Sequence, residues 1–142
     1  MMKTMFRKSL SWILLGCFLF LSGCARIAEI PKEIWGSSTK ALEDARPQAV
    51  SKIYDCSFTE CFDKVLDIAK KETLEAFITE RKKELIVLMG IKGSVGTTEV
   101  GVFFSEVETG KIKVEVVSLS PKAQETAAKM IFSGIAKSLQ KK

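Results

Sequence analysis

Two apolar alternations flanking a Thr109-Gly110 pair constrain this chain more than any other feature. Val100, Val102 and Phe104 alternate with Glu99, Gly101, Phe103 and Ser105, and Ile112, Val114 and Val116 alternate with Lys113, Glu115 and Val117. A period of two sends successive side chains to opposite faces of a strand, and a short turn ending in Gly joins antiparallel neighbours. This predicts a hairpin with one apolar face. Phe103 and Val117 keep its other face from being fully polar. The run Leu85-Ile86-Val87-Leu88-Met89 is apolar on both faces, as expected of a central strand or one covered by a partner. Four strands are predicted, over 76–79, 85–91, 98–106 and 112–119, with a charged turn at 81–84.

Helices bracket these strands. Ser57 is followed three residues later by Glu60, a capping box, and then by Phe62, Val65, Leu66 and Ala69 at helical spacing. A helix over 58–73 is predicted, with Glu60/Lys64 and Asp67/Lys71 as i,i+4 pairs. Ser120 and Pro121 make a good helix start. Ala127, Ile131, Ile135 and Leu139 then share one face of a final helix ending near Gln140. The order α-β-β-β-β-α, with hairpins rather than crossovers, predicts an α+β fold: a two-layer sandwich, a four-stranded antiparallel sheet carrying both helices on one face. Residues 53–142 form this domain. Residues 25–52 contain no strand-like run. Pro31 and Pro47 interrupt helix, Gly36-Ser37-Ser38 reads as a break, and a short helix capped by Ser38 or Thr39 runs to Arg46. The simpler reading is a spacer; the sharper one docks Ile30, Ile34, Trp35 and Leu42 on a partner or on the domain itself.

The start of the chain is of another kind. Lys3, Arg7 and Lys8 precede an apolar run over 10–21 with no acidic residue among them. The run has about 12 residues, where a membrane-spanning helix needs about 20. A basic start, a short apolar stretch and small residues after it describe a secretory signal peptide. The run closes on Leu21-Ser22-Gly23-Cys24, which resembles the bacterial lipobox. That resemblance implies signal-peptidase recognition of Leu21, Ser22 and Gly23, cleavage before Cys24, and a covalent diacylglyceryl group plus an N-acyl chain on Cys24. Residues 1–23 are then the signal peptide and 24–52 the lipidated Cys and tether. Two or three acyl chains hold a protein on a membrane, whereas a single chain does so only marginally. Residue Ala25 is not the Asp associated with inner-membrane retention, so the resemblance implies the periplasmic leaflet of the outer membrane. Charge changes meaning as well. The full chain of 142 residues carries 22 basic and 17 acidic side chains, a net +5. Removal of residues 1–23 takes three basic residues and no acidic one, leaving a net +2, so the basis for nucleic-acid binding goes with them.

The chain contains no His, which excludes imidazole metal ligands, His bases and every Ser-His or Cys-His pair. Cys56 and Cys61 occupy N′ and N4 around the Ser57 cap, positions that meet in a hydrophobic staple. Side chains that touch there can be bridged without distorting the helix. In an oxidising periplasm a structural disulfide is expected, ahead of free thiols and of a redox pair. Gly90-Ile91-Lys92-Gly93-Ser94-Val95-Gly96 superficially resembles a phosphate loop, but a Walker loop needs Gly-Lys-Ser/Thr running into a helix. A hairpin connection with positive-φ glycines is the simpler reading, and Gly90, Lys92, Gly93 and Gly96 are the candidate binding loop. Glu106/Glu108 and Glu99/Glu115 are pairs that can face each other, but acidic residues on exposed strands normally just solvate the sheet. No nucleophile–base set, catalytic residue or metal site is legible, and no cofactor is expected beyond the lipid.

The order of elements resembles small uncharacterised lipoproteins of Gram-negative bacteria and, more distantly, the helix-grip-like domains of lipoproteins that assist outer-membrane barrel assembly. The expectation is a non-enzymatic, lipid-anchored periplasmic protein that binds an envelope protein through a sheet face or edge. The alternative is a module for a small apolar or lipid-like ligand.

Overall fold

The computed structural model describes the backbone of residues 30–141 and the side chains of residues 38–141. Leu21, Ser22, Gly23 and Cys24 lie outside the described residues. In chain order the elements are α1 (Ile30–Ala45), β1 (Val50–Asp55), α2 (Phe58–Lys71), β2 (Glu75–Glu80), β3 (Leu85–Met89), β4 (Val100–Glu108), β5 (Lys111–Val117) and α3 (Pro121–Leu139). Single 3₁₀ turns sit at Arg46–Gln48 and Arg81–Lys83. The described residues are α+β, with three helices and a five-stranded antiparallel sheet ordered β1-β5-β4-β3-β2. Residues from Ser38 onward make one compact unit.

The four expected strands are present, and their hairpin register follows the alternation: Val102 lies opposite Val116, and Phe104 opposite Val114. Gly110 takes a φ of 78° in the β4–β5 turn, a value that favours Gly. Val100, Val102, Phe104, Ile112, Val114 and Val116 point into one core with Phe62, Val65 and Ala69 of α2 and Ala127, Ile131 and Ile135 of α3. Both terminal helices thus cover the same face, as expected. Phe104 meets Phe58 edge-on, with ring centroids 6.0 Å apart, and Phe62 at 5.1 Å. The helices approach closely at Gly134, where an added Cβ would stand 2.5 Å from Cδ1 of Ile68.

The helix α2 begins as its sequence predicts. Ser57 accepts a hydrogen bond from the Glu60 N–H at 3.2 Å, and Lys64 pairs with Glu60 at 3.6 Å. Cys56 and Cys61 are joined by a disulfide, with Cα atoms 6.0 Å apart, and both are buried. Closing so short a loop stabilises by about 2 kcal/mol in the chain-entropy model.

Two expectations are corrected. The sheet has five strands, not four, because Val50–Asp55 pairs antiparallel with β5, Val50 opposite Val116 and Asp55 opposite Lys111. The stretch 25–52 therefore does contain the start of a strand. Its edge position explains the weak signal: Val50 and Ile53 are three apart and fall on opposite faces. Among the described residues the helices number three, not two. Helix α1 runs through Gly36-Ser37-Ser38, read from sequence as a break, with Pro31 in its first turn where the missing N–H does no harm. One interior Gly costs a helix only about 1 kcal/mol.

The last turns of α1 cover the second face of the sheet. Leu42, 2% exposed, packs with Leu85, Val87, Phe103 and Val117 in a second buried cluster. Of the four residues considered for docking, Leu42 thus docks on the domain itself, while the side chains of Ile30, Ile34 and Trp35 lie outside the described residues. Gly101 makes the space: a Cβ there would stand 3.4 Å from Cδ1 of Leu42 and 3.0 Å from the Phe103 ring. Beside Leu42, the Arg46 guanidinium stacks 4.8 Å from the Phe103 centroid and donates through Nε to Glu115 at 2.8 Å. Lys113 lies 3.2 Å from the same carboxylate. Glu115 is only 8% exposed, and these two cations keep its charge from being buried unpaired. The doubly apolar run of β3 is accounted for, since helices lie on one side of it and Leu42 on the other.

Candidate functional site

Among the described residues strand β1 forms one edge of the sheet, bonded to β5 on one side only. Every second residue of such a strand turns its N–H and C=O away from its neighbour, toward whatever lies beyond the edge. Val50, Lys52 and Tyr54 share the face of Val116, Val114 and Ile112, which is the helix side. Helix α3 runs above that side. Its buried stripe, Ala127, Ile131 and Ile135, faces the core. A neighbouring stripe of Gln124, Ala128, Phe132 and Ala136 at helical spacing turns toward β1. Between the strand and this stripe lies an open groove of about 700 Å³, lined also by Val50 and Lys52.

The groove is apolar inside and charged at its rim. The small side chains of Ala128 and Ala136 leave the room, and the Phe132 ring stands between them. Tyr54 braces that ring, with centroids 6.3 Å apart, and its hydroxyl donates to the Phe132 carbonyl at 3.3 Å. Burial pushes the Tyr54 hydroxyl up to about 12. The Lys52 ammonium lies 5.6 Å from the Phe132 centroid, within cation–π range. Gln124 ties the strand to the helix. Its Nε2 donates to the Gln48 carbonyl at 2.9 Å, and its Oε1 accepts from the Ser118 N–H at 2.9 Å. On the rim Lys129 donates to Glu125 at 2.7 Å. That hydrogen bond, with the Lys129 charge, holds the Glu125 carboxyl below its usual range.

The candidate loop of the sequence reading lies elsewhere. It connects β3 to β4, which pair antiparallel, and none of Gly90, Lys92, Gly93 and Gly96 lines the groove. Gly90 and Gly93 adopt φ values of 81° and 80°, and the Gly90 N–H donates to the Gly96 carbonyl at 3.2 Å. Ile91 is buried and anchors the loop, while the Lys92 ammonium stands 3.8 Å from a Glu72 carboxylate oxygen. The carboxylate pairs do not form: Glu115 holds Arg46 and Lys113, Glu99 accepts from Ser38, Glu108 pairs with Lys111, and Glu106 accepts from the Gly110 N–H. Among the described residues no cluster of three His, Cys, Asp or Glu side chains can hold a metal, and no helix is long and apolar enough to cross a membrane.

The groove escaped the sequence reading, although α3 carried a signal. Ala128, Phe132 and Ala136 widen its apolar face beyond what one row of core contacts needs. Recognising the use of that width requires β1, whose place in the sheet is set by a partner more than 50 residues away in the chain. No protein-family model matches the sequence, and no curated protein is significantly similar to it.

Proposed function

We propose that the protein is a non-enzymatic lipoprotein, anchored through Cys24 in the periplasmic leaflet of the outer membrane, that takes an extended segment of an envelope protein as a sixth strand beside β1. The observation that carries this reading is the outer edge of β1, unpaired among the described residues, next to the α3 groove. A strand added there lies about 4.8 Å beyond β1. Main-chain hydrogen bonds to β1 supply affinity, and every second side chain drops into the groove against Ala128, Phe132 and Ala136, which supplies specificity. The intervening side chains lie beside Ile53, which is 57% exposed on the opposite face. The segment recognised is thus apolar at alternate positions and carries no bulky charge on the groove side. The Leu21-Ser22-Gly23-Cys24 motif supports the anchor.

A second reading uses the same groove for one acyl chain or similar apolar ligand, since its volume falls within the range of small-molecule sites. Photo-crosslinking separates the two. A photoreactive residue in place of Ser133, at the groove wall, yields a discrete protein adduct in whole envelopes, and adding Ala128→Arg removes it. An adduct no stronger than that from a probe at Lys82, on the exposed turn before β3, overturns strand docking. The anchor is tested separately: Cys24→Ala abolishes incorporation of labelled palmitate, and retained labelling refutes the lipoprotein assignment.

A further inference from the structure

The sheet pairing sorts the loops into two ends. Met89, Val100, Val117 and Val50 close their strands at one end, so the β3–β4 loop, the β5–α3 connection and the entry to β1 all lie there. The polypeptide enters the compact unit at the same end. The Ser38 hydroxyl donates to Glu99, and Ser38 lines a hollow of about 370 Å³ together with Thr97, Thr98 and Leu119. Val95 and Leu119, on two of these loops, are 73% and 71% exposed, the highest among the large apolar side chains described. Exposed apolar residues scattered singly are ordinary. Two at the end where a tether arrives, each on a loop tip with its backbone held, are a different arrangement. The Thr98 N–H donates to the Val95 carbonyl at 2.8 Å, and the Ser120 N–H donates to Ser118 Oγ at 3.2 Å.

We propose that this end rests on the lipid surface, with Val95 and Leu119 reaching the boundary between headgroups and acyl chains. The inference depends on the lipid-anchor reading of Cys24. Thirteen residues separate Cys24 from Ser38. With helix from Ile30 onward and extended chain before it, they span at most about 33 Å, roughly the diameter of the folded unit. Of the two ends, the one bearing Ser38 is therefore the one the tether holds nearest the membrane. Its charges are close to balance: Lys92 and Lys122 flank Gly93, while Glu72, Glu75 and Glu99 lie at the same end. The contact is accordingly apolar in origin, with the lysines reaching lipid phosphates as a secondary attraction. It differs from strand docking in using loops rather than the β1 edge.

The test uses the full-length lipidated protein in vesicles of phosphatidylethanolamine and phosphatidylglycerol with brominated acyl chains. Trp35→Phe removes the tether indole, and Trp12 leaves with the signal peptide. Single Trp probes are then placed as Val95→Trp, as Leu119→Trp and, at the far end of β4, as Val107→Trp. The first two are expected to lose about half of their emission or more to bromine, at low and high salt alike, whereas Val107→Trp loses about a tenth or less. Flotation of the vesicles reports the anchor independently. Protein that floats while Val95→Trp and Leu119→Trp are quenched no more than Val107→Trp overturns the surface contact and leaves the anchor standing. Protein that does not float overturns both.

Discussion

Tyr54 is the only tyrosine in the chain, so its ionisation can be followed without interference. Burial raises its hydroxyl from about 10 to about 12. The folded state therefore holds this proton in a window where the unfolded chain has released it. This group adds no pH dependence below pH about 10, and through it stability falls as pH rises from about 10 to about 12. Two full units correspond to about 2.7 kcal/mol, and the side chain is only partly enclosed, so a loss of about 1–2 kcal/mol is expected. Urea unfolding across that range, with tyrosinate absorbance as the site-specific probe, measures it. Tyr54→Phe removes this dependence while also removing the hydrogen bond to the Phe132 carbonyl. A Tyr54→Phe protein that still weakens over the same window would place the titrating group elsewhere.

At the scale of elements, α1 is the least self-sufficient piece, because among its described side chains Leu42 is the one fully buried on the sheet. Leu42→Ala is expected to cost about 2–4 kcal/mol, the usual range for a buried Leu that leaves a void. The loss should be local first. Amide exchange over 38–45 speeds up, while β4 and β5 exchange only through global unfolding. Equal acceleration in β4 would mean that α1 is integral to the sheet rather than laid upon it. The same elements show what could be read from the chain beforehand. The central strands were legible because Val100, Val102 and Phe104 of β4 and Ile112, Val114 and Val116 of β5 keep a period of two and are all buried on one face. Helices α2 and α3 were legible from Ser57, Glu60, Ser120 and Pro121, whose capping chemistry is local. Strand β1 was not, since its identity is conferred by the register with β5. The last turns of α1 were legible as a helix ending near Arg46, but its first turns were hidden by Pro31 and Gly36, and only Gly101, far along the chain, reveals where Leu42 fits. The groove beside β1 inherits the difficulty of that strand.

For the whole molecule, these placements move the effective start of the folded unit to Ser38. A chain beginning at Ser38 is expected to melt as the full-length protein does and to remain monomeric. A chain beginning at Ile53, where the regular patterning starts, loses Leu42, Arg46 and half of β1 together. Glu115 then keeps only Lys113, and the upper half of β5 becomes an open apolar edge. That shorter chain is expected to melt at least about 10 °C lower or to aggregate, since a loss of about 1 kcal/mol already shifts a domain of this size by about 4–8 °C. Thermal scans and size-exclusion chromatography of the two chains decide the point, and indistinguishable behaviour would show that the first face alone holds the fold.

The pairing of Val50 with Val116 also has a temporal side. Strand β1 precedes its partner β5 by more than 50 residues, so it finds its place in the sheet only when most of the domain is present. Closing a loop of that length is slow compared with forming the β4–β5 hairpin. The edge that would receive a partner is thus completed among the last events of folding. On the strand-docking proposal, a chain that has not yet paired β1 with β5 offers no such edge beside the sheet, so docking there would follow folding.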